Sequence, residues 1–176
     1  MIKIGLGKAL GFSLLTFIGL NFLFIIIAET FSVSGLEPLF TAISSDPFII
    51  ITILFAPINY MPGNVIMPLY AQISFGPIDA SLIRSVGFLV SPFVAGIVAG
   101  LTGESKKGSF LGWMITALIG SAAWGVLAFV SPSTLLDVGI SVTDPIMLLI
   151  GFLINGAVYG IFYGCFALLF SKTEMY

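Results

Sequence analysis

The sequence predicts an all-α integral membrane protein: a bundle of about four full transmembrane helices with a re-entrant hairpin between the first and second. Three observations carry this reading. Hydrophobic residues make up 59% of the chain and charged residues 8%, against about 25% charged in an average soluble domain, and the mean hydropathy is +1.19. The apolar runs are continuous and do not alternate with period two, which selects helices from the two architectures that satisfy a backbone in hydrocarbon. Asp, Glu, Lys and Arg all fall at or near the ends of those runs. With 176 residues, positions 1–176 form a single transmembrane domain.

The first run, Ala9–Ala28, follows Lys3 and Lys8. It exceeds the 7–15 residues of a typical signal-peptide core, and no small-x-small cleavage site follows, so it reads as a retained anchor. The loop Glu29 to Asp46 holds Leu36, Leu39, Phe40 and Ile43, whose spacing of three and four fits a short interfacial helix. Pro47 to Ile78 is apolar but broken by Pro57, Pro62-Gly63, Pro68 and Gly76-Pro77. Three further runs, Ala80–Leu101, Phe110–Val130 and Pro145–Phe170, are long enough to cross about 30 Å of hydrocarbon. Helix starts agree with these divisions: Asp46-Pro47 and Asp144-Pro145 are cap-plus-proline pairs, and Asp79 and Ser109 are placed to cap the helices after them.

Basic residues arbitrate the topology, because Lys and Arg favour cytoplasmic loops. A single kinked crossing from Phe48 to Leu69 gives five spans and divides the basic residues evenly. Two complete crossings give six spans, but half-segments of about 15 residues reach only about 22 Å as helix. A hairpin turning at Tyr60-Met61-Pro62-Gly63-Asn64 and returning to its own side leaves only Arg84 outside. Lys3, Lys8, Lys106, Lys107 and Lys172 then all lie inside. The expectation is therefore a multi-pass protein of the cell membrane with a membrane-embedded hairpin at 47–78 and both termini cytoplasmic.

The last run carries a glycine ladder, Gly156, Gly160 and Gly164, one helical step of four apart. Interior glycines cost a soluble helix about 1 kcal/mol each relative to alanine, whereas in lipid they let another backbone approach. Gly96 and Gly100 form a second such pair. Gly112, Thr116 and Gly120 form a third row, with Ala117, Ser121 and Gly125 beside it. Gly96, Gly100, Gly112, Gly120, Gly156, Gly160 and Gly164 are the expected helix-packing residues, within the chain or against another subunit.

Polar residues inside the runs are few. Asn155, Tyr159 and Tyr163 flank the glycine ladder as a stripe suited to interhelical hydrogen bonds or to lining a ligand site, and Asn21 in the first run is a candidate partner. Asn59 and Asn64 flank the hairpin tip, where they either serve backbone groups freed by Pro57 and Pro62 or meet a polar ligand. Trp113 falls near the inner interface, a usual place for an aromatic anchor. Cys165, the only cysteine, reads as a small buried apolar residue.

The chain has no histidine, and it shows no mid-membrane carboxylate pair, phosphate loop or dinucleotide fingerprint, so no enzyme chemistry, metal or cofactor is expected. A net charge of −2 gives no reason to expect nucleic acid. Aquaporin-like channels carry Asn-Pro-Ala in re-entrant half-helices; Ala56-Pro57-Ile58-Asn59 is a different pattern and has no second copy. The first functional reading is a non-catalytic polytopic subunit of a larger membrane complex, with lipid and other membrane subunits as partners. The alternative is a small transport component that binds substrate or forms a channel through the 47–78 hairpin and the Asn155 face.

Overall fold

A computed structural model describes residues 2–60, 62–76 and 78–171; Met61 at the expected hairpin tip, Pro77 and Lys172 lie outside these. The described residues form helices α1 (Ile2–Thr30), α2 (Glu37–Ser45), α3 (Ile49–Leu54), α4 (Pro62–Phe75), α5 (Ala80–Thr102), α6 (Lys106–Val130), α7 (Pro132–Asp137) and α8 (Pro145–Leu169), with a 3-10 turn at Ala56–Asn59 and no strand. Four of them, α1, α5, α6 and α8, are long and apolar enough to cross a membrane.

Helix boundaries follow hydrogen bonding more than hydropathy. Asp79 Oδ1 accepts from Leu82 N at 2.8 Å and starts α5, and Asp144 Oδ1 accepts from Ile146 N at 2.9 Å and starts α8. Ser109 is not a cap. Ser105 is, accepting from Gly108 N at 3.1 Å, so α6 begins a turn earlier than its apolar run. The turn holding Lys106 and Lys107 is helical but polar, and hydropathy marks only the apolar part. The loop segment with Leu39 forms α2, and Leu39 is buried.

The four long helices form an up-down ring. Lys8 meets Glu104 at 3.1 Å, Gly87 abuts Phe24, and Arg84 pairs with Glu29, so α1 and α5 are antiparallel. Gly112 lies against Ala9, and Ser13 Oγ lies 2.8 Å from Thr116 Oγ1, so α1 and α6 are parallel. Gly156, Gly160 and Gly164 meet Ser121, Met114 and Phe110 in that order, so α8 runs antiparallel to α6. Gly96 and Gly100 meet the backbone of Tyr163 and Ala167, which closes the ring between α5 and α8. The start of α1 and the end of α8 therefore lie at one end of the bundle, here the proximal end. The small-residue rows work as space for neighbouring helices. A β-carbon on Gly112 would stand 2.6 Å from that of Ala9, and one on Gly100 2.7 Å from the Ala167 carbonyl oxygen.

On α1 the residues Ala9, Ser13, Phe17, Asn21 and Ile25, each one helical step of four apart, are all buried. The first two meet α6. The next two also reach the segment that follows α2: Phe17, which meets Trp113 of α6, packs on Phe55 with ring centroids 6.2 Å apart, and Asn21 reaches Ile53 and Leu54. Toward the distal end α3 and the 3-10 turn enter the bundle, and between them they touch α1, α5, α6 and α8. Ile58 is fully buried, and a β-carbon on Gly120 would collide with it.

Proline chemistry dictates how this inserted segment is held. Pro57 has no N–H to give the Ile53 carbonyl four residues earlier, and Pro62 has none for Ile58. An unmet carbonyl buried in an apolar bundle is costly. Asn21 Nδ2 donates to Ile53 O at 2.6 Å and to Leu54 O at 3.0 Å, while Asn155 Nδ2 donates to Ile58 O at 2.7 Å. Asn21 and Asn155 thus do not bond each other; each clamps the chain that runs between their helices. Asn59 and Asn64, for which serving the freed backbone groups is one of the two expected roles, make no such bond among the described residues.

The segment then turns back. Pro62 and Ile66 gather with Leu89, Val90 and Phe93, well down α5, whereas Gln72 Nε2 donates to Ser81 Oγ at 2.8 Å, at the start of α5. Its other limb starts beside α7, where Thr134 donates to Asp46. The segment therefore enters and leaves at the distal end of the bundle. α4 lies outside the ring against α5, with Ile66, Met67, Tyr70 and Ile73 exposed.

Asn21→Leu and Asn155→Leu should each lower the unfolding free energy in bicelles by about 1–3 kcal/mol, because each strands a buried carbonyl. Pro57→Ala, which returns an N–H to Ile53 O, should shrink the Asn21→Leu loss in a double-mutant cycle. Equal losses in both backgrounds would show that the amide does not support that carbonyl.

Candidate functional site

Several residues singled out in the sequence are consumed by the core. Tyr159 is fully buried and Tyr163 nearly so. Their rings pack on each other with centroids 4.8 Å apart and on Trp113 at 6.3 and 6.2 Å. Trp113 is itself fully buried and meets Phe17 edge-on at 5.9 Å, so it is the centre of the bundle and not an interfacial anchor. The reason is that Gly112 beside it draws α1 onto that face of α6. Cys165 is exposed, against the expectation of burial. Gly156, Gly160 and Gly164 turn the opposite side of α8 inward, and Cys165 falls on the outer side.

The hairpin apex is different, because it borders open space. A cavity of about 470 Å³ lies at the distal end between α1, α2, α3, α5 and α6. Its walls include Ile25, Ile53, Phe88 and Ile140, with Asn59 and Trp124 among the polar contributors and Glu29 and Arg84 also on its surface. An adjoining cavity of about 620 Å³ holds Asn64 and Asp79 and shares Tyr60, Arg84 and Phe88 with it. A third, of about 440 Å³, shares Asn59 and Ile140 and is lined by Asn155. The consecutive residues Asn59 and Tyr60 thus form the partitions between three spaces. Asn64 is exposed and lies across the Tyr60 partition from the space that Asn59 and Trp124 line.

Side-chain chemistry separates these residues. Tyr60 stacks on Phe88 at 4.9 Å with the rings 21° from parallel. Glu29 is largely buried and pairs with Arg84 at the rim, so each charge answers the other and the cavity presents no net charge. Thr52 donates to its own helix at Ile49 O, 2.7 Å away. Asn59 is not spent in this way. Both polar atoms of its amide are shielded from solvent, and neither has a hydrogen-bond partner among the described residues. The indole N–H of Trp124 is in the same condition. Buried polar groups are nearly always paired; the unmet amide and indole are sealed within the protein beside the cavity, as are Trp113 Nε1, Tyr159 Oη, Ser91 Oγ and Ser121 Oγ elsewhere in the core.

Sequence reasoning singled out Asn59 but missed Trp124, the Glu29–Arg84 pair and Phe88. The ion pair had a signal: two opposite charges at the distal ends of consecutive long helices. Trp124 had none, since its value depends on the splay between α1 and α6 that admits the inserted segment.

No known family matches the sequence, and neither a curated protein nor a solved structure is significantly similar to it. The site's own geometry therefore carries the functional reading.

Because its amide atoms have no partners to lose, Asn59→Leu should leave the unfolding free energy unchanged or raise it, unlike the two asparagines that clamp carbonyls. A loss above about 2 kcal/mol, the size expected for a stranded buried partner, would show that Asn59 is structural.

Proposed function

We propose that the chain is a polytopic integral membrane protein that receives a small uncharged molecule in its distal cavity, as the binding component of a transport system. Support for membrane insertion comes from the outward faces of the long helices, which expose Phe12, Leu15, Ile154, Ile161 and Leu169; apolar surface on this scale fits lipid. In this reading α1, α5, α6 and α8 cross the bilayer, while α3, the 3-10 turn and α4 make the re-entrant hairpin. Irregular backbone at such depth is tolerated where it is buried in protein or lines a cavity, and both conditions are met here. Lys8, Lys106 and Lys107 lie at the proximal end and Arg84 at the distal end, so the positive-inside tendency puts the termini in the cytoplasm and the cavity outside.

The single observation that carries the binding reading is the cavity itself, about 470 Å³ and lined mainly by apolar and aromatic side chains, with the Glu29–Arg84 pair on its surface. A concave, mostly apolar pocket with a few polar groups at its edge is the usual form of a small-molecule site. The accessory-subunit reading drew part of its support from small-residue faces available to another chain, the rest from short loops and a lack of catalytic groups. All seven glycines of those faces abut neighbours in their own chain, which removes that support and leaves the cavity as the feature in need of a purpose.

Native mass measurement after gentle extraction tests the choice. A small non-covalent ligand should accompany the wild-type chain. A stoichiometric protein partner with no small molecule would return the reading to an accessory subunit.

A further inference from the structure

We propose a second site, in the cavity of about 440 Å³ along the first half of α8, that takes a compact uncharged alcohol or phenol with its O–H donated to Asn155 Oδ1. The site requires the chain to sit in a bilayer, but not that the distal cavity be occupied. The two ends of the Asn155 amide differ. Its Nδ2 is spent on Ile58 O at 2.7 Å. Its Oδ1 accepts no hydrogen bond from the described residues, and unlike both amide atoms of Asn59 it is not among the atoms sealed inside the protein. Asn155 is half-buried and lines this cavity, so the acceptor is open to a molecule that enters there.

The rest of the lining narrows the class. Ile140, Met147, Leu148 and Phe152 give the cavity an apolar wall. Thr143 and Asp144 stand at its distal mouth, where α8 starts, and Asn155 lies about 16 Å deeper along the helix axis at 1.5 Å per residue. A charged ligand group would have to be carried to that depth in the membrane, which is costly. A ligand of hydrocarbon alone would leave the acceptor covered and unmet, and that penalty would count against its binding. A hydroxyl meets the acceptor with a small polar group, whereas an amide would bring a carbonyl for which Asn155 has no donor left. Gly151 lies between Met147 and Asn155 on the same face of α8, and a β-carbon there would meet nothing within 4 Å, so the space beside the acceptor is open. A hydrogen bond accepted at Oδ1 also polarises the amide and strengthens its donation to Ile58 O, so an occupant braces the inserted segment.

The probes are a phenol bearing a trifluoromethyl-diazirine group and its methyl ether, which share ring, oxygen and photolabel and differ in the O–H. Each is photolysed with the full chain in phosphatidylcholine nanodiscs, and mass spectrometry locates the label. Labelling of the outward face of α1 around Phe12 and Leu15, both exposed, reports partition into the bilayer. The phenol should label the segment from Met147 to Asn155 saturably, at a half-saturating concentration at least about tenfold below that of its ether, the size expected when one buried partner is left unpaired. Gly151→Leu, which fills the open space beside the acceptor, should remove that saturable labelling and leave the α1 labelling unchanged. Equal half-saturation by the two probes overturns the contact with Asn155 and the proposal with it. Saturable labelling that persists in Gly151→Leu does the same, as does the absence of saturation with either probe. Should Gly151→Leu fail to fold, the two probes on the wild-type chain still decide the matter.

Discussion

The architecture depends on three hydrogen bonds from two asparagine side chains to backbone carbonyls of the inserted segment, two of which, at Ile53 and Ile58, prolines have left without their helical partners. Pro57 and Pro62 break a helix that would otherwise close its own ladder, and they do so where the chain is enclosed by four others. Asn21 from α1 and Asn155 from α8 supply the missing donors from opposite sides. Without those donors the segment would have to stay at the distal surface, where water could meet its carbonyls. With them it can insert, turn and leave again, and its apex is brought to the edge of a cavity.

The glycine rows set the space for this arrangement. At the proximal end Gly108 and Gly112 let α6 approach the backbone of α1 closely. Further along, the same row ends at Gly120, which packs on Ile58 of the inserted segment instead of on α1. One row of small residues therefore first closes two helices together and then makes room for a third element between them. The neighbouring row, Ala117, Ser121 and Gly125, faces α8 throughout. Phe17, Trp113, Tyr159 and Tyr163 pack on one another in the middle of the bundle, with Phe17 also against Phe55 of the inserted segment.

What the sequence made legible was what local periodicity and composition encode. The four long helices, their caps at Asp79 and Asp144, the broken character of 47–78 and the glycine rows all follow from spacing, hydropathy and proline positions. What it did not reveal was partnership at a distance. Asn155 and Asn21 were recognised as polar residues in apolar runs, yet their shared partner is a third element whose carbonyls become acceptors only once Pro57 and Pro62 have freed them. Asn59 and Asn64 look equivalent from their places around the apex. The fold makes one a shielded amide on a cavity wall and the other an exposed residue across the Tyr60 partition. Trp113 and Cys165 exchanged expected environments because the side of a helix that turns inward is chosen by its neighbour, and hydropathy carries no record of that choice.

The central claim is that residues 46–76 enter and leave at one end of the bundle. In a Cys165→Ser background, single cysteines at Ser45 and Ser74 bracket the segment, and a membrane-impermeant thiol reagent applied to sealed, oriented vesicles reports which side each one faces. Labelling of both from the side opposite the termini is the predicted result. Labelling of the two from opposite sides would mean that the segment crosses the bilayer, and the account of the clamp and the cavity would fail with it.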